Sequence, residues 1–353
     1  MPFCSRDRLL VFAPHPDDET IAAGALLQTA AAAGATVRIV FATNGDNNPW
    51  PQRWLERRWR IDRQARERWG RRRQQEAGTA LGVLGLGDRS TVRFLGWPDQ
   101  GLTTCLMLRP AAVDVLRAEL DGFEPSHVVL PTLADDHPDH SALRILVDLA
   151  LLASPRQVAR LGYTVHGRDE GERISVGADD DAMCARKLRA LAAYRSQTAL
   201  SGRRLQAMAT RVETFTCAGT PVAPGAEASG FSLALPGGMP TGGGYDLLIV
   251  AASSAGIERL RCRLPRLLRR GALPCLATRD GEVRLHAGRG ELVVSLPAPT
   301  APLLALWAKL HRREPRLVVF DRRHWQDARA LCGTCPIPPG GAPAPAGVER
   351  APA

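Results

Sequence analysis

Two short runs gather most of the chemistry-bearing side chains. Pro14-His15-Pro16-Asp17-Asp18-Glu19 sets one imidazole beside three carboxylates, and Asp135-Asp136-His137-Pro138-Asp139-His140 adds two imidazoles and three carboxylates. Neutral imidazole nitrogen and carboxylate oxygen are the usual ligands of a catalytic zinc, which takes three protein groups and keeps one position open for water. His15, Asp18 and His140 could supply that set, leaving Asp17 and His137 beside the metal for proton transfer. The competing reading is structural. An Asp-Asp pair after a strand commonly caps a helix, with Asp17 or Asp18 accepting from orphan N–H groups. Two clusters, both built on His-Pro-Asp, favour the metal over the cap.

Such residues need rigid elements behind them. Arg8 to Ala13 is a short apolar run that reads as a buried parallel strand ending at Pro14-His15. Ala22 to Ala33 suits a helix stopped by Gly34, and Thr36 to Ala42 is the next apolar run, which completes a βαβ unit. An Arg-rich helix is expected over 53–82, strands near 91–95 and 126–131, a helix over 110–121, and another helix after His140. The fold class is therefore α/β: a doubly wound, Rossmann-like, mostly parallel sheet with helices on both faces. Its pocket belongs at the C-terminal ends of the strands. No Gly-x-Gly-x-x-Gly follows the first strand, so no nicotinamide cofactor is expected.

The strand-end His-Pro-Asp-Asp-Glu and the later His-Pro-Asp-His resemble the signature of the LmbE-like or PIG-L deacetylases, zinc hydrolases that remove N-acetyl groups from amino sugars. Supporting matches run through the first 215 residues: Thr43-Asn44-Gly45-Asp46, Arg73-Gln-Gln-Glu76, Leu95-Gly96-Trp97-Pro98-Asp99 with Gly101-Leu102, Lys187-Leu-Arg-Ala190-Leu191 and Tyr194-Arg-Ser196-Gln197. The resemblance implies one Zn2+ per site held by His15, Asp18 and His140, with Asp17 as general base. His137, held by Asp139 or Asp136, would be the general acid or face the oxyanion. Glu19 and Asp139 would support ligands from behind, and Arg73, Asp99 and Asn44 would contact the substrate. The implied substrate is an N-acetylated amino sugar, glycoconjugate or glycolipid. Amidases of thiol–sugar conjugates share the site, and a non-catalytic binder of sugars or anionic glycans on the same fold is the other alternative.

The 353 residues carry 46 Lys plus Arg against 36 Asp plus Glu, a formal charge of +10, which favours anionic partners. Almost all the positive charge is Arg, as genomic composition alone would also give. The run from Arg53 to Arg73 interleaves with Trp50, Trp54, Trp59 and Trp69, which either pack inward or line a sugar-stacking lip. Glu56, Asp62 and Glu67 interrupt it, so nucleic acid is not an expected partner. Cys332 and Cys335 form a lone CxxC without a second ligand pair, and free thiols are the default. His127, His166, His286, His311 and His324 stand alone and default to core or surface roles. No run of eighteen apolar residues occurs, and Met1 to Arg8 lacks a signal-peptide layout, so a cytoplasmic protein is expected.

The expected organisation is a deacetylase-like domain at 1–220, a Gly/Pro-rich linker at 221–244, a small α/β module at 245–330 and a disordered tail at 336–353. The module should contain strands at 246–251, 273–277, 291–296 and 316–320 and helices at 256–270 and 301–312. The first helix would carry Arg259, Arg263, Arg266 and Arg270 on one face. That face either packs or gives peripheral contact with an anionic inner membrane surface.

Overall fold

The computed structural model describes residues 3–154, 156–167, 173–177, 180–217, 230–235, 244–265, 271–298, 300–313, 324–328 and 349–350. The chain divides into two compact units, Met1–Gly219 and Thr220–Ala353.

The first unit runs β1 (Arg8–Ala13), α1 (Asp18–Ala32), β2 (Thr36–Thr43), α2 (Pro49–Glu56), α3 (Arg63–Val83), β3 (Ser90–Trp97), α4 (Leu102–Leu108), α5 (Ala111–Phe123), β4 (His127–Pro131), α6 (Pro138–Leu152), β5 (Ala159–Tyr163), β6 (Arg173–Val176), α7 (Asp181–Ala192), α8 (Arg195–Met208) and β7 (Glu213–Cys217). Its seven-stranded sheet has the order β3-β2-β1-β4-β5-β7-β6. β3, β2, β1, β4 and β5 are parallel, and β7 and β6 close one edge antiparallel. Leu9 to Ala13 and Val128 to Leu130 have no exposed surface, as central parallel strands require. The chain leaves β1 toward β2 on one side and leaves β4 toward β5 on the other. The crevice between their C-terminal ends is thus the switch point at which open α/β sheets bind ligands. Both His-Pro-Asp runs emerge there.

The single Arg-rich helix expected over 53–82 is two helices. Arg57 takes a left-handed conformation, φ 49°, that ends α2, and the Asp62 carboxylate accepts from Ala65 N to start α3.

The second unit departs from the expected α/β module. It contains β8 (Gly230–Ala234), β9 (Tyr245–Ser253), β10 (Gly256–Arg263), β11 (Gly271–Ala277), β12 (Glu282–Ala287), β13 (Glu291–Ser295), β14 (Leu303–Arg312), β15 (Gln326–Asp327) and β16 (Glu349–Arg350). These form two antiparallel sheets, β15-β14-β9-β10-β16 and β11-β12-β13-β8, whose apolar residues share one core. The expected helix at 256–270 is strand β10 up to Arg263, and residues 266–270 lie outside the described set. Leu260, Cys262 and Leu264 are buried while Arg261 and Arg263 are exposed, a period of two that overrides the Arg spacing of three and four. The expected helix at 301–312 is β14, the neighbour of β9 in the middle of its sheet. The assigned linker contains β8, and the strand expected at 316–320 falls outside the described residues. So do Cys332, Cys335 and all of the 336–353 tail except β16.

Candidate metal centre

β1 delivers Pro14 and His15 to the sheet edge, where Thr43 clamps the chain by donating its N–H and hydroxyl to Pro14 O. Asp17 then adopts φ 126°, ψ −29°, a strained conformation for a residue with a Cβ. It occupies the N-cap position of α1, yet its side chain makes no capping hydrogen bond. Glu19 holds the strained turn by accepting from Asp17 N at 3.0 Å, and Thr20 and Tyr194 hydroxyls in turn donate to Glu19. On the facing strand, Pro138 opens α6 at a position where its missing N–H costs nothing. His137 is the cap, its Nδ1 accepting from Asp139 N at 3.2 Å, and His140 sits in the first turn.

These two turns bring His15, Asp18 and His140 together. Asp18 Oδ2 lies 3.2 Å from His15 Nδ1 and 3.2 Å from His140 Nε2. Tetrahedral bonds of about 2.0–2.1 Å place ligand atoms roughly 3.3–3.4 Å apart, which matches the two distances to Asp18. Among the described residues, the groups whose ligand atoms all lie within 4.8 Å of one another are His15 with His137 and His140, Asp18 with His140 and His166, and His15 with Asp99 and Asp139. His140 is fully buried, with a carboxylate facing each of its ring nitrogens. His137 also converges: its ring centroid is 4.7 Å from that of His15 and 5.2 Å from that of His140.

Each histidine of the set has a carboxylate behind its other nitrogen. His140 Nδ1 faces Asp135 Oδ2 at 3.0 Å, and Asp135 is fixed by accepting from the backbone N–H groups of His137, Val165 and His166. His15 Nε2 faces Asp99 Oδ1 at 3.2 Å and Asp139 Oδ2 at 3.3 Å, while Asp139 accepts from Gln100 N and Leu102 N. Carboxylates placed this way orient metal-binding imidazoles and raise their basicity. The charges respond accordingly. Burial alone would lower His140, but Asp135 and Asp18 push it up to about 10. His15 is likewise raised, by Asp139, Asp18 and Asp99 against its burial. Burial raises Asp18, yet His140 and His15 hold it well below the usual carboxylate range. The pocket thus favours positive charge at the point where these three residues meet.

Asp17 is different. Burial pushes it up to about 7 despite the Arg73 guanidinium at 3.3 Å. His137 is driven well below its ordinary value, first by burial and then by the charges of His15, His140 and His166. What Asp139 offers His137 is its backbone N–H, and its carboxylate turns to His15.

The other expected site residues are placed as follows. Arg73 is buried, donating to Gly45 O and Pro16 O and pairing with Asp17, so it braces the two strand-end turns. Gly45 has φ 62°, and a Cβ there would lie 1.9 Å from the Arg73 guanidinium, so only glycine admits this brace. Asn44 Oδ1 accepts from Gln74 Nε2, and Asp99 accepts from Asn47 N at 2.7 Å. Sequence reasoning passed over two residues. Asp135 was inside the cluster but lost to its neighbours Asp136 and Asp139. His166, isolated in the sequence, lies just past β5 with its ring 5.3 Å from His140 and 5.8 Å from His137; burial first and then His140 bring it down to about 4. Its position after a third parallel strand of the same sheet was the available signal.

Residues 10–151 match the family described as PIG-L, GlcNAc-PI de-N-acetylase. Over 175 residues the chain is 33% identical to the 1D-myo-inositol 2-acetamido-2-deoxy-alpha-D-glucopyranoside deacetylase of Mycobacteroides abscessus, covering 45% of this chain and 60% of that protein. The like-named enzyme of Mycolicibacterium gilvum is 33% identical over 191 residues, covering 49% and 64%. The chain thus spans less than two thirds of the length of these curated relatives. Among solved structures, a conserved protein of Thermus thermophilus aligns with a TM-score of 0.46 at 24% identity, over 60% of this chain and 94% of that one. The N,N'-diacetylchitobiose deacetylase of Pyrococcus horikoshii aligns at 0.46 and 18%, over 59% and 82%. The matches of the PIG-L domain end before β8, where the antiparallel unit begins to form.

Proposed function

We propose that the chain is a zinc-dependent amide hydrolase that removes the N-acetyl group from an acetylated amino sugar or glycoconjugate. The observation that carries this reading is Asp18 Oδ2 equidistant from His15 Nδ1 and His140 Nε2, with the carboxylate of Asp17, paired to Arg73, in the adjoining residue. The substrate class draws on the names of the relatives, both deacetylases of an acetamido sugar on inositol.

His15, Asp18 and His140 would hold the ion, which supplies Lewis acidity to the amide carbonyl. Asp17, near 7 in the pocket, accepts a proton from the attacking water and returns it to the departing amine, a leaving group that needs protonation. Arg73 keeps that carboxylate aimed while its own guanidinium stays out of reach of the substrate. His137 acts while neutral. Its Nδ1 accepts from the backbone, so its proton sits on Nε2, where it donates to the developing oxyanion. Asp135 and Asp139 fix the two metal-facing imidazoles, and Asp99 and Asn44 line the rim where sugar hydroxyls would be met. The residues 1–220 form the catalytic domain in this reading.

Acetate release from N-acetylglucosaminyl-inositol and from simple N-acetylglucosamine, before and after chelation and zinc addition, tests the proposal. Chelator-sensitive, zinc-restored acetate from at least one substrate is expected. Saturable sugar binding with no acetate from any amide would overturn it.

A further inference from the structure

α2 leaves an unusual surface beside this site. Its inner side is anchored: Pro51 and Gln52 are buried, Gln52 donates to Ala65 O at 2.7 Å, and the helix packs on α8. Its outer side carries Trp50 and, four residues on, Trp54, while Trp59 follows the left-handed turn at Arg57. These indoles are 52%, 67% and 78% exposed, more than any other large apolar side chain among the described residues. The Arg53 guanidinium lies 5.1 Å from the Trp50 ring and 5.3 Å from the Trp59 ring, which joins them into one patch. Arg57, Arg58 and Arg60 are exposed around it, and Glu56 is occupied with Arg68. From Pro49 to Arg72 the chain has nine Arg against three acids.

We propose that this face docks on an anionic bilayer and holds the pocket at the lipid surface. Indole rings prefer the headgroup level, where the ring is buried and the N–H stays wet, and guanidinium groups bind lipid phosphates bidentately. Trp50 and Trp59 share the Arg53 cation. A protein partner would have to bury that cation with the rings, although interface cores are depleted of charge, whereas a headgroup layer accepts both at one depth. The patch is also tied to the site. Asn47, three residues before Trp50, donates its N–H to Asp99, which faces His15. The membrane contact expected from a helix at 256–270 moves to this face, because that segment begins as strand β10.

The test is co-sedimentation of the full chain with vesicles of mixed phosphatidylglycerol and phosphatidylcholine, or of phosphatidylcholine alone. Salt-sensitive partition onto the anionic vesicles is expected, with little on the neutral ones. Replacing Arg57, Arg58 and Arg60 by Gln should lower the partition coefficient about 100-fold, and W50A/W54A/W59A should bring it to background. Both variants should keep the wild-type unfolding transition and the wild-type kcat/KM on a water-soluble N-acetyl amino sugar. Equal partition onto neutral vesicles, no partition onto anionic vesicles at low salt, or undiminished partition of the Trp variant would each overturn the proposal. So would a raised KM for the soluble sugar in the Trp variant, which would make the patch a substrate lip, or binding to a single-stranded oligonucleotide in place of vesicles. If the chain docks yet releases no acetate from any amide, the docking face stands and the deacetylase reading fails.

Discussion

The two units of this chain solve opposite packing problems. In the first, a parallel sheet is covered on both sides, so β1 and β4 are continuous apolar runs whose polar cargo appears only past their ends. In the second, two antiparallel sheets share one core; β9 and β14 are buried on both faces, while β10 alternates a buried Leu260, Cys262 and Leu264 with exposed Arg261 and Arg263. Polar groups in the first unit are concentrated at one edge and held by one another. In the second, Arg is spread along strand faces, and the buried Asp246 is paired with Arg261 at 2.6 Å. Among the described residues, the groups of His and carboxylate side chains that converge closely enough to hold a metal all belong to the first unit.

That contrast sets an order of expected effects. His140→Ala should remove the bound metal and bring acetate release to background, both read on the same purified sample. His137→Ala should leave metal content intact and lower kcat by about 10² to 10³, the usual loss for one oxyanion donor. Asp135→Asn should weaken metal affinity about 10- to 100-fold, measured by competition with a chromogenic chelator, because it loosens His140 without removing a ligand. In the second unit the effects should be structural only. Leu260→Ala is expected to cost about 2–5 kcal/mol in the unfolding of the β unit with kcat unchanged, while Arg263→Gln should fall within about 0.5 kcal/mol of wild type. A comparable cost at both positions would mean that the alternation along β10 does not define its buried face.

The site was largely legible because its residues are adjacent in sequence and follow strands with unambiguous apolar character. His15, Asp17, Asp18, His137 and His140 could all be named from two six-residue runs. Their partners were less visible. Asp135 and Asp139 are distinguished only by which way the turn at Pro138 points them, and His166 reaches the pocket through β5, a strand too short and mixed, Ala159 to Tyr163, to announce itself. Arg73 was visible as a residue but not as a brace, since its role depends on the left-handed turn at Gly45. The β unit was misread for a different reason. Arg259 and Arg263 satisfy a helical spacing as well as a strand spacing, and without knowledge of the β9 partner the shorter period carried no extra weight. The expected helix over 53–82 broke at Arg57, where no glycine marks the left-handed cap.

The central claim is that Asp18 and Asp17, adjacent in the chain, divide the work between holding the ion and moving the proton. The most direct measurement is zinc content together with the pH dependence of kcat/KM for wild type and Asp17→Asn. In the wild type, activity should fall as pH drops, since Asp17 must be ionised to act. The midpoint should lie at or below about 7, because a bound cation pulls the carboxyl down from the value that burial gives it. Asp17→Asn should retain one zinc, lose turnover by about 10² to 10⁴ and lose that acid limb. Full turnover with the limb intact, or loss of zinc from the Asp17 variant, would contradict the account.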